Sequence, residues 1–324
     1  MKAIVCKAWG PPESLIMEER PALAAGPGNV VMSVKAANVK FSDTLIIQNK
    51  YQTKPELPFI PGSEVAGIVK AVGAGVDGWA VGDRVSAQSP SGGYAEEVSV
   101  EAERLVAIPE SMDFASAAGL ASTYGTSYYA LTDRGQLRAG ETLLVLGASG
   151  GVGLAAVEIG KALGARVIAC ASSEDKLGVC REHGADETIN YASEDLRARV
   201  KAITHGKGVD VIYDPVGGEY SELALRDMAW GGRLLVIGFA AGDIPKIPLN
   251  LTLIKGCSIV GVWQGAFARR DPVQHRANTA TLWKWFGEGK IKPHVFATYP
   301  LEQAADALNA LAGRKVAGKV VLTT

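Results

Sequence analysis

Ser149 sits in a segment whose residue types support two kinds of chemistry. Gly147-Ala148-Ser149-Gly150-Gly151 fits the G-x-S-x-G of a serine hydrolase, in which a strained turn exposes a nucleophilic hydroxyl. Read one residue further on, Ala148, Gly150 and Gly153 nearly fit G-x-G-x-x-G, in which backbone amides at a helix start grip a diphosphate. Either turn leads from a strand into a helix, so the local pattern leaves both open.

The hydrolase reading needs an acid and then a histidine downstream, and Asp214, His275 and His294 stand in that order. It also needs several strands and an oxyanion loop before the nucleophile. Here the turn follows the first strand of an alternating strand and helix region, which favours the cradle. In a cradle Gly150 lets amides approach the phosphates and Gly153 lets the helix pack closely on its strand. Ser149, Gly150, Gly151, Val152 and Gly153 are then the diphosphate contacts.

An acidic residue ending the second strand would bind the adenosine ribose and repel a phosphate on it. Ala171 and Ser172 occupy that position. With Lys176 on the next helix and Tyr191 ending the third strand, a 2′-phosphate is accommodated, which points to NADPH. Glu174 and Asp175 compete with this reading if either turns back toward the ribose. Lys176 reads also as a solvated helix residue, and Tyr191 as an aromatic at the core edge.

These residues need a scaffold. Up to about residue 120, short β-branched runs such as "NVVMSVKAA" and "EVAGIVKAVG" are closed by Gly, Pro and Asp turns, the pattern of a barrel or sandwich. From about residue 122, six apolar strands alternate with helical segments: "ETLLVLGA", "RVIACAS", "ETINY", "VDVIYDPV", "GRLLVIGF" and "CSIVGVW". Helices are expected over Val152 to Leu163, Glu174 to His183, Ser193 to Thr204 and Tyr220 to Met228, with Gly164 and Gly184 as stops. This is the pattern of an α/β doubly wound parallel sheet. After about residue 265 come a helix carrying Trp283, Trp285 and Phe286, a helical "LEQAADALNALAG" and a strand "GKVVLT", all expected to rejoin the first domain. The expected division is 1–121, 122–264 and 265–324.

Composition narrows the partners. The 33 basic and 34 acidic residues are interleaved and give a formal charge of −1, so no footprint for nucleic acid or an anionic membrane stands out. The four cysteines show no C-x-x-C spacing and "MKAIVCKAWG" lacks the apolar run of a signal peptide, which fits a reducing cytoplasm. The uncharged stretch from Thr142 to Val157 ends against Glu158, short of the ~18 apolar residues that span a bilayer.

Several longer motifs go beyond a lone glycine turn: "LPFIPGSEVAGIVKAVGAGVDGWAVGDRV", "GGYAEEV", "GLASTYGTSYYAL", "LVLGASGGVGLAAVEIGKALGARVIA", "GADETINY" and "VDVIYDPVGG". With them the whole chain resembles the medium-chain dehydrogenase/reductase superfamily, in its zinc-independent, zeta-crystallin-like quinone oxidoreductase branch. The resemblance implies a GroES-like β-barrel catalytic domain built from the first and last segments, a Rossmann domain between them, and a substrate cleft between the two. It places Thr126 near the nicotinamide, Ser149 to Gly153 on the pyrophosphate, and Ser172, Lys176 and Tyr191 around the 2′-phosphate. Gly238 and Phe239 would flank the nicotinamide ribose, and Tyr51 resembles a tyrosine facing the quinone pocket, or else packs at its rim.

Where zinc-dependent relatives carry a cysteine and a histidine, this chain has Lys40 and Ser63, and the lobe of four close cysteines is missing. No thiolate or imidazole is left there for zinc, and Glu64 reads as a buried, paired group. His183, His205, His275 and His294 are scattered and read as cap, loop or surface residues. Without a Lewis acid, hydride attack suits acceptors that spread the incoming charge, such as quinones and enones. The branch usually has Asn at Lys40, so a cation there either polarises the acceptor oxygen or pairs with Asp43. Many members have Ala where Gly147 begins the turn, and glycine there is expected to be harmless.

The activity implied is NADPH-dependent reduction of a quinone without metal, Tyr51 or Lys40 relaying the proton. An alkenal, enone or enoyl-thioester reductase uses the same hydride delivery, with Arg269 and Arg270 available to a thioester's phosphates. A non-catalytic NADPH-binding role, structural or RNA-binding, is the reading from another class. The apolar strand "CSIVGVW" would otherwise be a bare sheet edge, so a homodimer through it is expected.

Overall fold

The computed structural model describes residues 1–324 and divides them into two units, Met1–Ser122 with Pro293–Thr324, and Thr123–Lys292. In the first unit, β-branched runs closed by turn residues form β1 (Lys2–Val5), β2 (Ile16–Glu19), β3 (Asn29–Val39), β4 (Glu64–Val72), β5 (Arg84–Gln88), β6 (Glu97–Glu101) and β7 (Leu105–Ala107). The short helices α1 (Phe41–Ile46) and α2 (Phe114–Ala117) follow β3 and β7.

The second unit opens with α3 (Gly125–Tyr129) and then alternates: β8 (Thr142–Val145), α4 (Gly151–Ala162), β9 (Arg166–Ala171), α5 (Glu174–Glu182), β10 (Glu187–Asn190), α6 (Leu196–Ile203), β11 (Val209–Asp214), α7 (Glu219–Arg226) and β12 (Met228–Val236). It continues through α8 (Asn250–Lys255), β13 (Ser258–Gly261), α9 (Gln264–Arg270) and α10 (Pro272–Gly287). The chain then returns to the first unit as β14 (Val295–Pro300), α11 (Ala304–Ala312) and β15 (Lys319–Thr323).

The six strands of the second unit pair in parallel in the order β10-β9-β8-β11-β12-β13, the Rossmann arrangement. Helices cover both faces of such a sheet, so its strands need apolar side chains on both sides. Leu143, Leu144, Val145 and Leu146 are accordingly all fully buried. Gly164 and Gly184 follow α4 and α5 at φ +82° and +98°, the left-handed conformation that ends a helix.

In the first unit the strand order is β14-β15-β3-β4-β5-β7, with β6 also on β3. β15 runs parallel to β14 and antiparallel to β3, so a late segment of chain fills an interior place in the sheet. Val30, Met32, Val34, Val65, Tyr94 and Val320 pack among the buried residues of its core. This is the GroES-like barrel, and no helix in the molecule is long and apolar enough to cross a membrane.

The structure corrects two expectations. Residues 265–292 belong to the second unit, not to a return segment beginning at 265. Their aromatic residues find their partners on α3: Phe267 stacks on Tyr129 at 4.0 Å and Trp285 meets Tyr128 edge-on at 5.4 Å. Asn278 adds a hydrogen bond to Asp133 at 2.7 Å. The third expected helix starts at Leu196 instead of Ser193, because the Asp195 carboxylate accepts from Ala198 N at 2.9 Å and caps it there.

Candidate functional site

The glycine turn lies at the carboxyl end of β8, the central strand where the sheet order reverses. Gly150 is the N-cap of α4, and the first helical bond is Leu154 N to Gly150 O at 2.8 Å. The amides of Gly151, Val152 and Gly153 precede that bond and have no partner within the helix. A Cβ on Gly153 would lie 2.3 Å from Gly147 O and 2.9 Å from Ala148 Cα, so only glycine lets the helix sit this close to its strand. A Cβ on Gly150 would meet nothing closer than Gly147 O at 3.4 Å. With these amides free of helix partners, a diphosphate fits this turn.

Gly147 has φ +56°, and a Cβ would lie 2.8 Å from Val216 Cγ2. Glycine thus suits this position, where an alanine would be strained in both backbone conformation and space.

Ser127, which sequence reasoning passed over, holds α3 against the cradle. Its hydroxyl is fully buried, donates to Val152 O at 2.8 Å and lies 2.8 Å from Tyr213 OH. Thr126 is its neighbour on α3. Glu158 anchors the far part of α4: it accepts from Tyr124 OH at 2.7 Å and Lys292 N at 3.1 Å, and lies 2.5 Å from His183 Nδ1. Burial and the Glu158 charge hold the Tyr124 phenol well above its ordinary pKa, so it stays a donor.

The other predicted coenzyme residues of the second unit lie at neighbouring strand ends. Lys176 Nζ is 3.5 Å from Ser172 Oγ just beyond β9, and Tyr191 follows β10 with its ring 4.6 Å from that of Tyr220. Glu174 is hydrogen-bonded to Arg181, so one of the two carboxylates that compete for the ribose is already engaged. Gly238 and Phe239 follow β12, beside the turn after β11. Asp214 organises that turn, accepting from Val216 N and Gly217 N, both at 2.9 Å, and from Ser221 Oγ at 2.5 Å. It is thus committed to its own loop, and no histidine hydrogen-bonds Ser149. His275 instead packs edge-on against Phe267 at 6.2 Å, and burial lowers its pKa. A hydrolytic triad is not assembled.

Lys40 and Tyr51 lie in the barrel unit, Lys40 as the residue before α1 and Tyr51 half-buried beyond it. The Lys40 ammonium donates to Ser63 Oγ at 2.5 Å, while the Asp43 carboxylate accepts from Lys40 N at 3.0 Å and Tyr94 OH at 2.8 Å. The Lys40 ammonium is thus hydrogen-bonded to Ser63 and meets Asp43 through its charge, the direct bond to Asp43 coming from the Lys40 backbone. Glu64 is 2 % exposed and accepts from Asn38 Nδ2 at 3.0 Å and Ser122 N at 2.7 Å. Burial raises the pKa of both Asp43 and Glu64, and the Lys40 charge opposes it.

This donor set does not fit zinc. An ammonium and a hydroxyl stand at the two key positions, Glu64 is occupied, and nowhere do three or more His, Cys, Asp or Glu side chains gather. The thiols offer no alternative nucleophile: burial pushes Cys170 up, and Cys180 up to about 12.

Two family models match the chain, an alcohol dehydrogenase GroES-like domain over residues 26–110 and a zinc-binding dehydrogenase domain over 151–281. Barrel and Rossmann sheet in this combination are the medium-chain dehydrogenase/reductase architecture. A quinone oxidoreductase-like protein 2 homolog of Nematostella vectensis is 39 % identical over 327 residues, covering 100 % of this chain and 89 % of that protein. The quinone oxidoreductase of Pseudomonas aeruginosa is 36 % identical, with 99 % of each chain covered. Among solved structures, Escherichia coli quinone oxidoreductase complexed with NADPH superposes with a TM-score of 0.91 at 31 % identity, with 100 % of each chain covered. The chain belongs to the zinc-independent quinone oxidoreductase branch of the medium-chain dehydrogenase/reductase superfamily.

Proposed function

We propose that this protein reduces a quinone or a related conjugated carbonyl with NADPH, without a metal. The observation that carries the reading is the turn from Gly147 to Gly153. There a Cβ is excluded at Gly153, one on Gly150 would make only a single contact at 3.4 Å, and the first three amides of α4 have no partner within the helix. Lys176 beside Ser172, with Tyr191 close by in the sheet order, favours the 2′-phosphate of NADPH. The E. coli and P. aeruginosa quinone oxidoreductases support the same reading.

Bound NADPH supplies a hydride. The work of the chain is to hold the nicotinamide half beside Thr126, Gly238 and Phe239 and to keep donor and acceptor oriented, which contributes roughly 7–11 kcal/mol in well-ordered model reactions. Lys40 presents a fixed positive charge to the acceptor oxygen, and the Ser63 hydroxyl that accepts from it keeps that charge in place. Tyr51 contributes a phenol that relays the proton from solvent. A conjugated acceptor spreads the incoming charge, so a hydrogen-bonding cation suffices where an isolated ketone would call for a Lewis acid.

A second copy of the chain fits the edge of the Rossmann sheet. β13 is the last strand, and Ile259 on it, Leu253 and Ile254 on α8, and Trp230 and Trp263 beside them are 38–82 % exposed. Edge-to-edge pairing of β13 covers the strand and this apolar surface together.

The test is NADPH consumption with 1,4-benzoquinone or 9,10-phenanthrenequinone, in parallel with NADH and with a chelator. Turnover that prefers NADPH and survives chelation is expected. Tight NADPH binding with no turnover on any conjugated carbonyl defeats the proposal and leaves a binding protein.

A further inference from the structure

Gln264 follows β13 at the carboxyl edge of the Rossmann sheet and begins α9. It is 8 % exposed, yet its Nε2 has no hydrogen-bond partner in the protein. A buried amide donor without a partner is costly, and native proteins rarely keep one without a use for it. The side chain lies against the start of α3, with Nε2 only 3.7 Å from where a Cβ on Gly125 would stand. Gly125 precedes Thr126, and Ser127 one residue later ties α3 to Val152 in the cradle.

The sheet order says which part of a dinucleotide passes this point. Ser172, Lys176 and Tyr191 stand at the ends of β9 and β10, on one side of β8. A dinucleotide whose diphosphate rests on the turn after β8 and whose adenosine lies over β9 and β10 must extend its other half over β11, β12 and β13. Phe239 and Gln264 follow β12 and β13 on that side. The nicotinamide end carries one strong neutral acceptor, the oxygen of its ring carboxamide. An amide N–H already freed of water, on a side chain packed in place, is a suitable donor to it.

We infer that Gln264 Nε2 donates a hydrogen bond to the carboxamide oxygen of the nicotinamide and so sets the rotation of the ring. Gln264 is thereby a coenzyme-orienting residue. This rests on the NADPH reading above, and the two can fail separately.

The experiment is direct titration of NADPH fluorescence, without acceptor, on the full chain, with 2′,5′-ADP as a probe for the adenosine half alone. Gln264→Met keeps the length of the side chain and removes the donor, and Gln264→Glu replaces the donor with an acceptor. Both variants are expected to weaken NADPH by at least threefold, the effect of one neutral hydrogen bond, and to leave 2′,5′-ADP binding unchanged. Because the change to Met deletes an unpaired buried donor, the melting temperature of the coenzyme-free protein should hold or rise. A loss below threefold with Met, or an equal loss for 2′,5′-ADP, overturns the assignment and leaves the NADPH reading standing. Failure of the wild-type chain to bind NADPH overturns both.

Discussion

Lys40 and Ser63, 23 positions apart, are joined by a 2.5 Å hydrogen bond from the ammonium to the hydroxyl, next to two almost fully buried carboxylates. Asp43 and Glu64 have raised pKa values in the folded chain, so the fold favours their neutral forms. Each therefore contributes stability that is present below its unfolded pKa of about 4 and is lost as pH rises through the raised folded value. The Lys40 charge limits that loss. Lys40→Met should cost about 1–2 kcal/mol at neutral pH, less than for a fully buried partner because Lys40 is half-exposed. The deficit relative to wild type should shrink toward pH ~4. Melting curves of the two proteins across this range check the sign, and a deficit that widens on acidification contradicts it.

Lys40→Asn separates the chemical part of that pairing. Loss of a cation at the acceptor oxygen should lower kcat for quinones by about tenfold, equivalent to about 1.4 kcal/mol, with little change in NADPH affinity. Unaltered quinone kinetics in a folded variant would show that the ammonium serves only the barrel.

Two glycines of the cradle should part company. Gly153→Ala places a Cβ 2.3 Å from a backbone oxygen and should destabilise the coenzyme-free protein by about 1–3 kcal/mol. Gly150→Ala has ordinary backbone angles, φ −73° and ψ 166°, and space at 3.4 Å, so stability should hold while NADPH binding falls at least tenfold. Thermal melts paired with NADPH titration read both, and unimpaired binding in Gly150→Ala would remove the diphosphate from this turn.

At the 2′-phosphate, Lys176→Ala should cut kcat/KM for NADPH by about 10- to 100-fold, the range for a charged hydrogen bond, and leave NADH nearly unaffected. Equal losses with both coenzymes would mean that Lys176 is a helix-surface residue only.

Ile259→Lys puts a charge in the middle of the β13 edge and should convert a dimer into a monomer. Sedimentation of wild type and variant decides this. A wild-type chain that already sediments as a monomer at micromolar concentration refutes the pairing.

Local sequence signals carried the architecture well where they were local in cause. The apolar run before Gly147 and the stops at Gly164 and Gly184 follow from short-range rules of burial and backbone angle. Partners set by distant chain segments were not legible. "NVKFSDT" offers Asp43 as the obvious mate for Lys40, yet the ammonium is bonded to Ser63. The period of residues 272–287 shows a helix but not the surface it covers, and only the rings of Tyr128 and Tyr129 reveal that it and the preceding helix pack on α3. Ser127 stands inside "GLASTYGTSYYAL" without being singled out by it, and Gln264 follows "CSIVGVW" and stands in no motif; their importance lies in burial and in which bonds they make or lack.

The position of β15 between β14 and β3 has a consequence for biosynthesis. The Rossmann unit is one continuous stretch and can fold as soon as residue 292 has cleared the ribosome, whereas the barrel waits with its sheet divided until residues 319–323 emerge. Deleting those five residues would remove an inner stave and not a dangling tail, so nascent chains stalled short of them should hold a finished nucleotide module beside a half-built, protease-sensitive partner.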